Sequence, residues 1–177
     1  MRTVKVTVLP YDPEWSTAFL RIAEEISNTL GELAVAIEHV GSTAVVGMSA
    51  KPCIDIDVVI KDYTVFDRVV KRLADIGYIH ESDLGIKDRE AFDYSDKGHL
   101  MKHHLYVCPQ ASEELRRHIT FRDHLRAHPE AVERYSRVKE KAAELFPNDI
   151  DKYMEYKSPI IKELYIECGA ETTANTK

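Results

Sequence analysis

Residues 54–60 read Ile-Asp-Ile-Asp-Val-Val-Ile, the segment of the chain that most clearly predicts a β-strand. β-Branched residues dominate it, and its first half alternates apolar and acidic side chains. Because alternate side chains of a strand share a face, we expect Asp55 and Asp57 to project together, with the isoleucines directed toward a core. The segment therefore predicts a sheet that presents two carboxylates side by side.

The chain around this strand changes from mixed to purely helical patterns. Apolar residues recur at helical spacing after Pro13, and Gly31 ends that run. The remaining expected elements are a strand that begins in the apolar run 33–37 and leads through His39-Val40 into a turn at Gly41-Ser42, a helix at about 64–76, strands around 89–94 and 102–107, and about three helices within 112–168. This order predicts an α+β fold, with a small mixed β-sheet flanked by helices and a C-terminal helical block.

Length and composition predict one domain. The chain has 177 residues, of which 44% are hydrophobic, enough for one substantial core. Its middle contains no linker-like or repeated segment, so we expect a single domain over residues 1–168. Residues 169–177 are small and polar, which predicts a disordered tail.

The charge and the cysteines limit the class of protein. The formal net charge of −6 argues against non-specific nucleic-acid binding, which needs a concentrated excess of Lys and Arg. A small phosphate-containing ligand remains compatible, because it needs only a local basic patch. Cys53, Cys108 and Cys168 form no paired motif, and no stretch resembles a signal peptide or a membrane span. These features predict a cytoplasmic protein with no membrane association.

The acidic pair, Asp55 and Asp57, is a candidate metal site. Two ionised carboxylates that close repel each other, and a proton, a basic neighbour or a divalent cation relieves that repulsion. Hard oxygen ligands suit Mg²⁺ or Mn²⁺, and Mg²⁺ typically takes one or two carboxylates and completes its shell with water and phosphate oxygens. The alternative is that both aspartates merely face solvent on an edge strand.

A glycine-serine turn precedes the strand. Gly41-Ser42-Thr43 follows an apolar run, and a glycine there permits close backbone approach to a ligand. Backbone amides and hydroxyls that follow such a glycine can hold a phosphate group. An ordinary surface turn is the competing interpretation.

The turn and the strand together resemble the nucleotidyltransferase signature, in which Gly-Ser is followed by Asp-x-Asp. The longer strings at residues 39–47 (His-Val-Gly-Ser-Thr-Ala-Val-Val-Gly) and 50–57 (Ala-Lys-Pro-Cys-Ile-Asp-Ile-Asp) resemble one branch of that superfamily, the GrpB family. Further matching segments are residues 11–15, 77–78, 103–107, 121–126 and 156–157. The resemblance covers about residues 8–167.

This resemblance implies a sheet of the nucleotidyltransferase type with a metal and nucleotide site at Gly41, Ser42, Asp55 and Asp57. ATP or another nucleoside triphosphate would be the substrate. Enzymes of the superfamily commonly carry a third carboxylate on a later strand, but the matching strand, residues 102–107, contains no acid. His103 or His104 is then a candidate general base, and Asp93 or Asp96 a candidate replacement acid.

Basic residues downstream are candidate phosphate contacts. Arg122 and Arg126 share the inward helical face with Leu115 and Ile119, so they are expected to meet either a carboxylate or an anionic ligand. Lys51 and Lys157 are further candidates for phosphate binding. By contrast, Lys139 is expected to be a solvated helix charge.

Three functions remain open at this stage. The first is a metal-dependent transferase that moves a nucleotidyl group from a nucleoside triphosphate to a small-molecule or protein acceptor. The second is a non-catalytic module that binds a nucleotide or phosphate ester, or acts as an accessory partner. The third is a zinc-dependent hydrolase built on His99, His103 and His104, although alternation turns the last two to opposite faces.

Overall fold

The computed structural model describes residues 5–171 of the chain. By their internal contacts these residues fall into two units. The sheet unit comprises Glu14–Val40 and Cys53–Arg116, and the helical unit comprises 5–13, Gly41–Pro52 and 117–171. The prediction of a single domain over residues 1–168 stays a prediction.

The sheet unit contains one five-stranded mixed sheet. Its strands are β1 (Ala36–Val40), β2 (Ile54–Ile60), β3 (Tyr78–His80), β4 (Glu90–Tyr94) and β5 (His103–Pro109), in the order β1-β2-β5-β4-β3. The central pair β2 and β5 is parallel, and every other pair is antiparallel. Helices α1 (Glu14–Leu30) and α2 (Phe66–Asp75) belong to the same unit.

One face of the sheet packs on α1. The Phe19 ring of α1 stacks on His39 of β1 with centroids 4.6 Å apart, and His39 is the cross-strand partner of Ile56. Directly paired residues share a face, so α1 covers the side of β2 that carries the buried Ile54, Ile56 and Val58. Asp55 and Asp57 therefore project from the opposite face, as the alternation predicts.

The helical unit is formed largely by the last third of the chain. Helix α3 (Glu113–Ala127) begins in the sheet unit and continues into the helical unit, where α4 (Pro129–Leu145) and α5 (Ile150–Glu167) pack on each other. Buried Val45, Met48, Leu125 and Leu164 belong to its main apolar core. The α+β class, the small mixed sheet and the C-terminal helical block are thus confirmed.

The expected strand starts later than the apolar run that predicted it. Gly31–Leu33 forms a short 3₁₀ turn, and β1 begins only at Ala36. Gly31 has a φ of 54°, a conformation that glycine adopts at little cost, and it ends α1 just before the turn. The apolar run therefore belongs partly to the 3₁₀ turn and partly to β1. Hydrophobic periodicity alone does not show where one ends and the other begins.

The end of the described chain is packed. Ala170 is 5% exposed, and the Glu171 carboxylate accepts a hydrogen bond from Arg117. Residues 169–171, the first three of the predicted disordered tail, therefore make defined contacts. Residues 172–177 lie outside the described residues.

Cys53, Cys108 and Cys168 are free thiols in this structure. Among the helices of residues 5–171, none combines the length and the apolar character that crossing a bilayer requires.

Candidate functional site

The acidic pair lies on β2 in the sheet unit. Asp57 is fully buried at 0% exposure, whereas the Asp55 side chain is 34% exposed. In the register of the sheet, Asp55 faces His104 of β5 and Asp57 faces Tyr106. Burying a carboxylate is costly unless hydrogen bonds, a cation or a metal compensates the charge. The buried position of Asp57 is thus unusual for a carboxylate that only decorates an edge strand.

A third carboxylate shares this face and was missed by the sequence interpretation. Glu38 of β1 is the direct cross-strand partner of Asp57 and is half-buried. Side chains in such pairs typically have Cβ atoms about 4.5–5.5 Å apart. The pairing of β1 with β2 brings Glu38 next to the acidic pair. Residue spacing and alternation within a single strand do not show which strands are paired.

His104 is joined to the acidic pair. Its Nδ1 lies 3.0 Å from Asp55 Oδ1, with the His104 side chain 52% exposed. The hydrogen bond to Asp55, together with one to Cys53, raises the pKa of His104 to about 10. The imidazole is therefore a cation at neutral pH, so it balances the carboxylates and is poorly suited to accept a proton as a general base.

His103 lies on the other face of the sheet. It is 3% exposed, its Nε2 is 2.7 Å from the Tyr78 hydroxyl, and its Nδ1 is 2.7 Å from the Met101 carbonyl oxygen. The ring also stacks on Tyr94 with centroids 4.5 Å apart. Burial lowers its pKa. The structure thus holds His103 in a packed network and does not bring it to Asp55 or Asp57.

The histidines of the zinc hypothesis are dispersed. His99 pairs with Glu25, with Nε2 and Oε2 2.7 Å apart, while His103 and His104 occupy opposite faces of β5. Within residues 5–171, no group of three or more His, Cys, Asp or Glu side chains is arranged to hold a metal ion. The three histidines therefore do not converge on one metal site.

The glycine-serine turn lies in the helical unit. Gly41 has a φ of 74°, in the left-handed region that favours glycine, and Ser42–Ala44 forms a short 3₁₀ turn directly after it. Ser42 is half-buried, and Thr43 is 2% exposed. The expectation that this turn and the acidic pair serve one ligand stays a prediction, because the aspartates belong to the sheet unit.

Lys139 contacts the turn and was misjudged from the sequence. Its Nζ donates a 2.8 Å hydrogen bond to Ser42 Oγ and lies 4.2 Å from the centroid of the Tyr135 ring. The residue is only 2% exposed, so the expectation of a solvated charge is wrong. Desolvation lowers the pKa of Lys139 well below its usual range, and Lys157 adds to that shift while Glu140 opposes it.

Lys157 of α5 is a second buried lysine. It is 7% exposed, and its Nζ lies 4.6 Å from the centroid of the Tyr153 ring. Lys51 is exposed and approaches the same ring at 5.6 Å. We call Ser42, Lys139 and Lys157 the lysine cluster. The structure thus brings Lys157 together with the predicted phosphate turn through Lys139, whose amino group contacts Ser42.

The two predicted arginines behave differently. Arg126 donates from Nε and Nη2 to the Ala44 carbonyl oxygen, at 3.0 and 2.8 Å, and so fixes the end of the 3₁₀ turn. Arg122 lies near Asp123, with its Nε 2.9 Å from Oδ1. Arg126 therefore reaches the turn through a backbone carbonyl, and Arg122 has an ion-pair partner on its own helix.

Comparison with known proteins places the chain in a family. The GrpB protein family profile matches residues 5–167. The chain belongs to the GrpB family. It is 37% identical over 166 residues to the UPF0157 protein BH1888 of Halalkalibacterium halodurans, covering 93% of this chain and 83% of that protein. It is 30% identical to the UPF0157 protein YqkA of Bacillus subtilis over 89% of this chain, which spans only 46% of YqkA.

Solved structures agree with this placement. The conserved protein GrpB from Enterococcus faecalis aligns with a TM-score of 0.80 and 30% identity, covering 92% of this chain and 96% of that one. A weaker alignment, with a TM-score of 0.46 and 8% identity over 75% of this chain and 45% of the other, is to the Cid1 poly(U) polymerase.

Proposed function

We propose that this GrpB chain binds a nucleoside triphosphate with Mg²⁺, and that the lysine cluster holds its phosphates. The observation that carries the proposal is the burial of Lys139, which is 2% exposed and donates a 2.8 Å hydrogen bond from Nζ to Ser42 Oγ. Lysine is almost never buried to this degree without a compensating partner.

An anionic ligand would stabilise the charged form of Lys139. Burial, and after it the charge of Lys157, lowers the pKa of Lys139. A polyphosphate brings several negative oxygens to such a site and accepts hydrogen bonds from ammonium and hydroxyl groups. Ser42, half-buried on a glycine-initiated turn, adds the hydroxyl. These properties favour a phosphate-bearing ligand over a neutral one.

The acidic pair fits the metal of such a ligand. Asp55 and Asp57 supply the one or two carboxylates that Mg²⁺ usually takes from a protein, and phosphate oxygens and water complete its shell. When bound there, Mg²⁺ or Mn²⁺ would supply electrostatic stabilisation of charge on the phosphates. Asp57 is the pre-positioned member, because it is fully buried, and Asp55 is the accessible one.

The side chains of this site would act mainly by positioning. Arg126 holds the turn that presents Ser42, and Lys139 braces the Ser42 hydroxyl. His104, as a cation beside Asp55, would balance negative charge near the reacting phosphate. Transfer of a nucleotidyl group to an acceptor hydroxyl would then follow the chemistry that the family resemblance implies.

A non-catalytic nucleotide-binding or accessory module is the second candidate. Enzymes of the superfamily commonly carry a third carboxylate on a later strand. On β5 the residue paired with Asp55 is His104, whose imidazole is hydrogen-bonded to Asp55. Without a base to activate an acceptor, a protein can retain nucleotide binding and lack transfer. His104 in this position favours binding over catalysis, and Glu38, the cross-strand partner of Asp57, is the acid that a transferase would use instead.

Calorimetric titration with ATP and Mg²⁺ tests the binding proposal. We expect saturable binding that weakens at least about tenfold, or about 1.4 kcal/mol, in Asp55→Asn and in Lys139→Met. Asp67→Asn, at an exposed position in α2, and Lys141→Met, at an exposed position in α4, are the matched controls and should bind like the wild type. Equal affinity in all five proteins, or no binding to the wild type, contradicts the proposal.

Release of pyrophosphate separates the two candidate functions. The assay uses the wild-type chain with the four nucleoside triphosphates, Mg²⁺ or Mn²⁺, and a panel of hydroxyl and amine acceptors. Acceptor-dependent release that is lost in Asp57→Asn supports a transferase. Tight nucleotide binding with no release above the Asp57→Asn background supports the non-catalytic module.

A further inference from the structure

A cavity of about 340 Å³ lies on the sheet face that carries the acidic pair. Tyr106 of β5 lines it, and Tyr106 is the direct sheet partner of both Asp57 and Ala91, so these residues share that face. Ala91 also lines the cavity, and the segment between β3 and β4 contributes Glu81 and Leu84. All of these residues belong to the sheet unit, and we call this space the sheet cavity. Its volume is typical of small-molecule sites, which measure about 300–1,000 Å³.

The segment between β3 and β4 holds a costly backbone conformation at this cavity. Ser82, Leu84 and Asp88 have φ values of 72°, 49° and 58°, in the left-handed region that residues other than glycine seldom occupy. Hydrogen bonds fix the start of the segment, because Glu81 N donates to the Ala91 carbonyl oxygen and Ala91 N donates to that of Ser82, both at 2.8 Å. Leu84, 59% exposed, is thereby held at the sheet cavity. Strained backbone of this kind is concentrated at ligand sites.

Arg89 places a guanidinium against the wall of the sheet cavity. The side chain is half-buried, and its Cζ lies 4.3 Å from the centroid of the Tyr106 ring. The guanidinium forms no hydrogen bond to any residue of the described chain, and of its nitrogens only Nε is buried. The two terminal nitrogens are therefore accessible to a ligand. A guanidinium that lies over an aromatic ring keeps its in-plane N–H groups for paired hydrogen bonds to a carboxylate or a phosphate.

Two carboxylates give the sheet cavity a second kind of wall. Glu81 and Asp93 both line it, and both are exposed. Ionised carboxylates accept hydrogen bonds and donate none, so the part of a ligand that contacts them must carry donors such as hydroxyl groups. The guanidinium of Arg89 instead favours an anionic group. The two walls together fit a ligand that has an anionic group and hydroxyl groups in one small molecule.

We propose that the sheet cavity binds a small hydroxyl-bearing acid, either a carboxylate or a phosphate monoester, and that Arg89 binds its anionic group. The Tyr106 ring and Leu84 would contact the carbon skeleton, and the two carboxylates would accept hydrogen bonds from its hydroxyl groups. His104 also lines the cavity and is bonded to Asp55, so a ligand bound there would lie next to the acidic pair. The inference rests on residues of the sheet unit and does not depend on nucleotide binding by the lysine cluster.

NMR titration of the full chain with D-glycerate and with glycerol 3-phosphate tests the inference, in buffer without nucleotide or divalent cation. The Nε–H signal of Arg89 and the ring signals of Tyr106 report on the sheet cavity, so phosphate bound at the lysine cluster is distinguished by its different signals. We expect both sets of signals to shift saturably with at least one of the two acids, and the acid that binds more tightly identifies the anionic group. Glycerol, which has hydroxyl groups and no charge, should bind much more weakly.

Arg89→Met should weaken binding of the acid at least about tenfold, measured on the Tyr106 ring signals, because charge-assisted hydrogen bonds are lost. Arg68→Met is the matched control, since Arg68 is exposed on α2 of the same unit, and it should bind like the wild type. Unchanged affinity in Arg89→Met overturns the inference. So does a wild-type titration in which neither acid shifts the signals of Arg89 and Tyr106, or in which glycerol binds as tightly as the acids.

Leu84→Asp and Leu84→Asn decide the question if Arg89→Met does not fold. Asp and Asn both tolerate the left-handed backbone, and the two variants differ by one negative charge at the cavity wall. Leu84→Asp should therefore bind the acid more weakly than Leu84→Asn, and equal affinities overturn the inference. A failure of MgATP to bind contradicts the proposed function and leaves this inference standing, because no nucleotide is present in these titrations.

Discussion

His104 Nδ1 lies 3.0 Å from Asp55 Oδ1, so the parallel strands β2 and β5 are joined at the acidic pair by a side-chain ion pair. Parallel neighbours place their paired residues on the same face, which is why the imidazole meets this carboxylate while the adjacent His103 turns away. The pair sets the charge of the candidate metal site, since one cation is already beside the two acids.

Asp55→Asn should lower the pKa of His104 from about 10 toward the ordinary value of about 6.5. The hydrogen bond that His104 donates to Asp55 is the largest cause of the raised pKa, and an asparagine amide provides no negative charge to replace the carboxylate. In the wild type this pair stabilises the fold fully below pH about 6.5, and the contribution is lost as the pH rises through about 10. Because the imidazole is 52% exposed, added salt should weaken the effect.

A histidine NMR titration measures the pKa of His104 in both proteins. Asp67→Asn, at an exposed position of α2, serves as the control and should leave the His104 titration unchanged. An Asp55→Asn protein whose His104 still titrates near the wild-type value would show that the ion pair does not set the charge of this histidine.

Lys139→Met should stabilise the fold while weakening phosphate binding. Replacing buried charged groups by well-packed apolar side chains of similar volume is often neutral or stabilising, by up to about 4 kcal/mol. In a chain of this size each kcal/mol corresponds to roughly 2–4 °C in Tm. The lowered pKa of Lys139 means that the unfolded chain binds more protons, so wild-type stability rises with pH up to the ordinary lysine pKa. The advantage of the variant should therefore shrink as the pH rises.

Thermal melts of the two proteins at several pH values check this expectation. Lys141→Met lies on the same helix, but Lys141 is 52% exposed and pairs with Glu144, so it should change stability by less than about 0.5 kcal/mol. A loss of stability in Lys139→Met at neutral pH would mean that the buried amine is compensated in the unliganded protein.

Arg126→Lys should loosen the turn that carries Ser42. The guanidinium donates twice to the Ala44 carbonyl oxygen, and an ammonium group cannot reproduce both planar contacts. We expect a loss of about 0.5–1.5 kcal/mol in stability and weaker MgATP binding. Arg137→Lys is the matched control, because Arg137 is 74% exposed and pairs only with Glu133 among the described contacts. Identical MgATP affinities in the two variants would show that Arg126 does not contribute to MgATP binding.

Tyr78→Phe should destabilise the sheet unit without changing metal-dependent binding. The hydroxyl lies 2.7 Å from His103 Nε2, and both residues are buried, at 1% and 3% exposure. Leaving the imidazole nitrogen unsatisfied costs about 1–3 kcal/mol. Denaturant unfolding measures the loss, with Tyr63→Phe, at an exposed hydroxyl, as the control. Loss of MgATP binding in a folded Tyr78→Phe protein would give His103 the catalytic role that its position argues against.

The parts of the fold predicted from sequence are those that depend on local periodicity. Asp55 and Asp57 share a face because the period of a strand is two, and this holds wherever the strand lies in the sheet. The same rule separates His103 from His104. It does not reveal which strand pairs with which, so Glu38 opposite Asp57 was not recognised, and the boundary of β1 was misplaced.

Lys139 shows a signal that was present but outweighed. Ala131, Tyr135 and Ala142 are buried residues of α4, and Lys139 follows Tyr135 by one turn on the same face. Helical spacing therefore marked it as inward-facing, whereas the charge of its neighbours suggested a solvated helix. Ser42, which accepts the hydrogen bond from the Lys139 amino group, lies far away in the sequence. It becomes a partner of Lys139 only through tertiary packing.

The most direct test of the account is a crystal of the chain soaked with a nonhydrolysable ATP analogue and Mn²⁺, examined by anomalous scattering. We expect one Mn²⁺ peak within about 2.0–2.3 Å of carboxylate oxygens of Asp55 and Asp57. An ordered analogue with no Mn²⁺ at these aspartates, or Mn²⁺ bound only elsewhere, would contradict the claim that the acidic pair holds a nucleotide-bound metal.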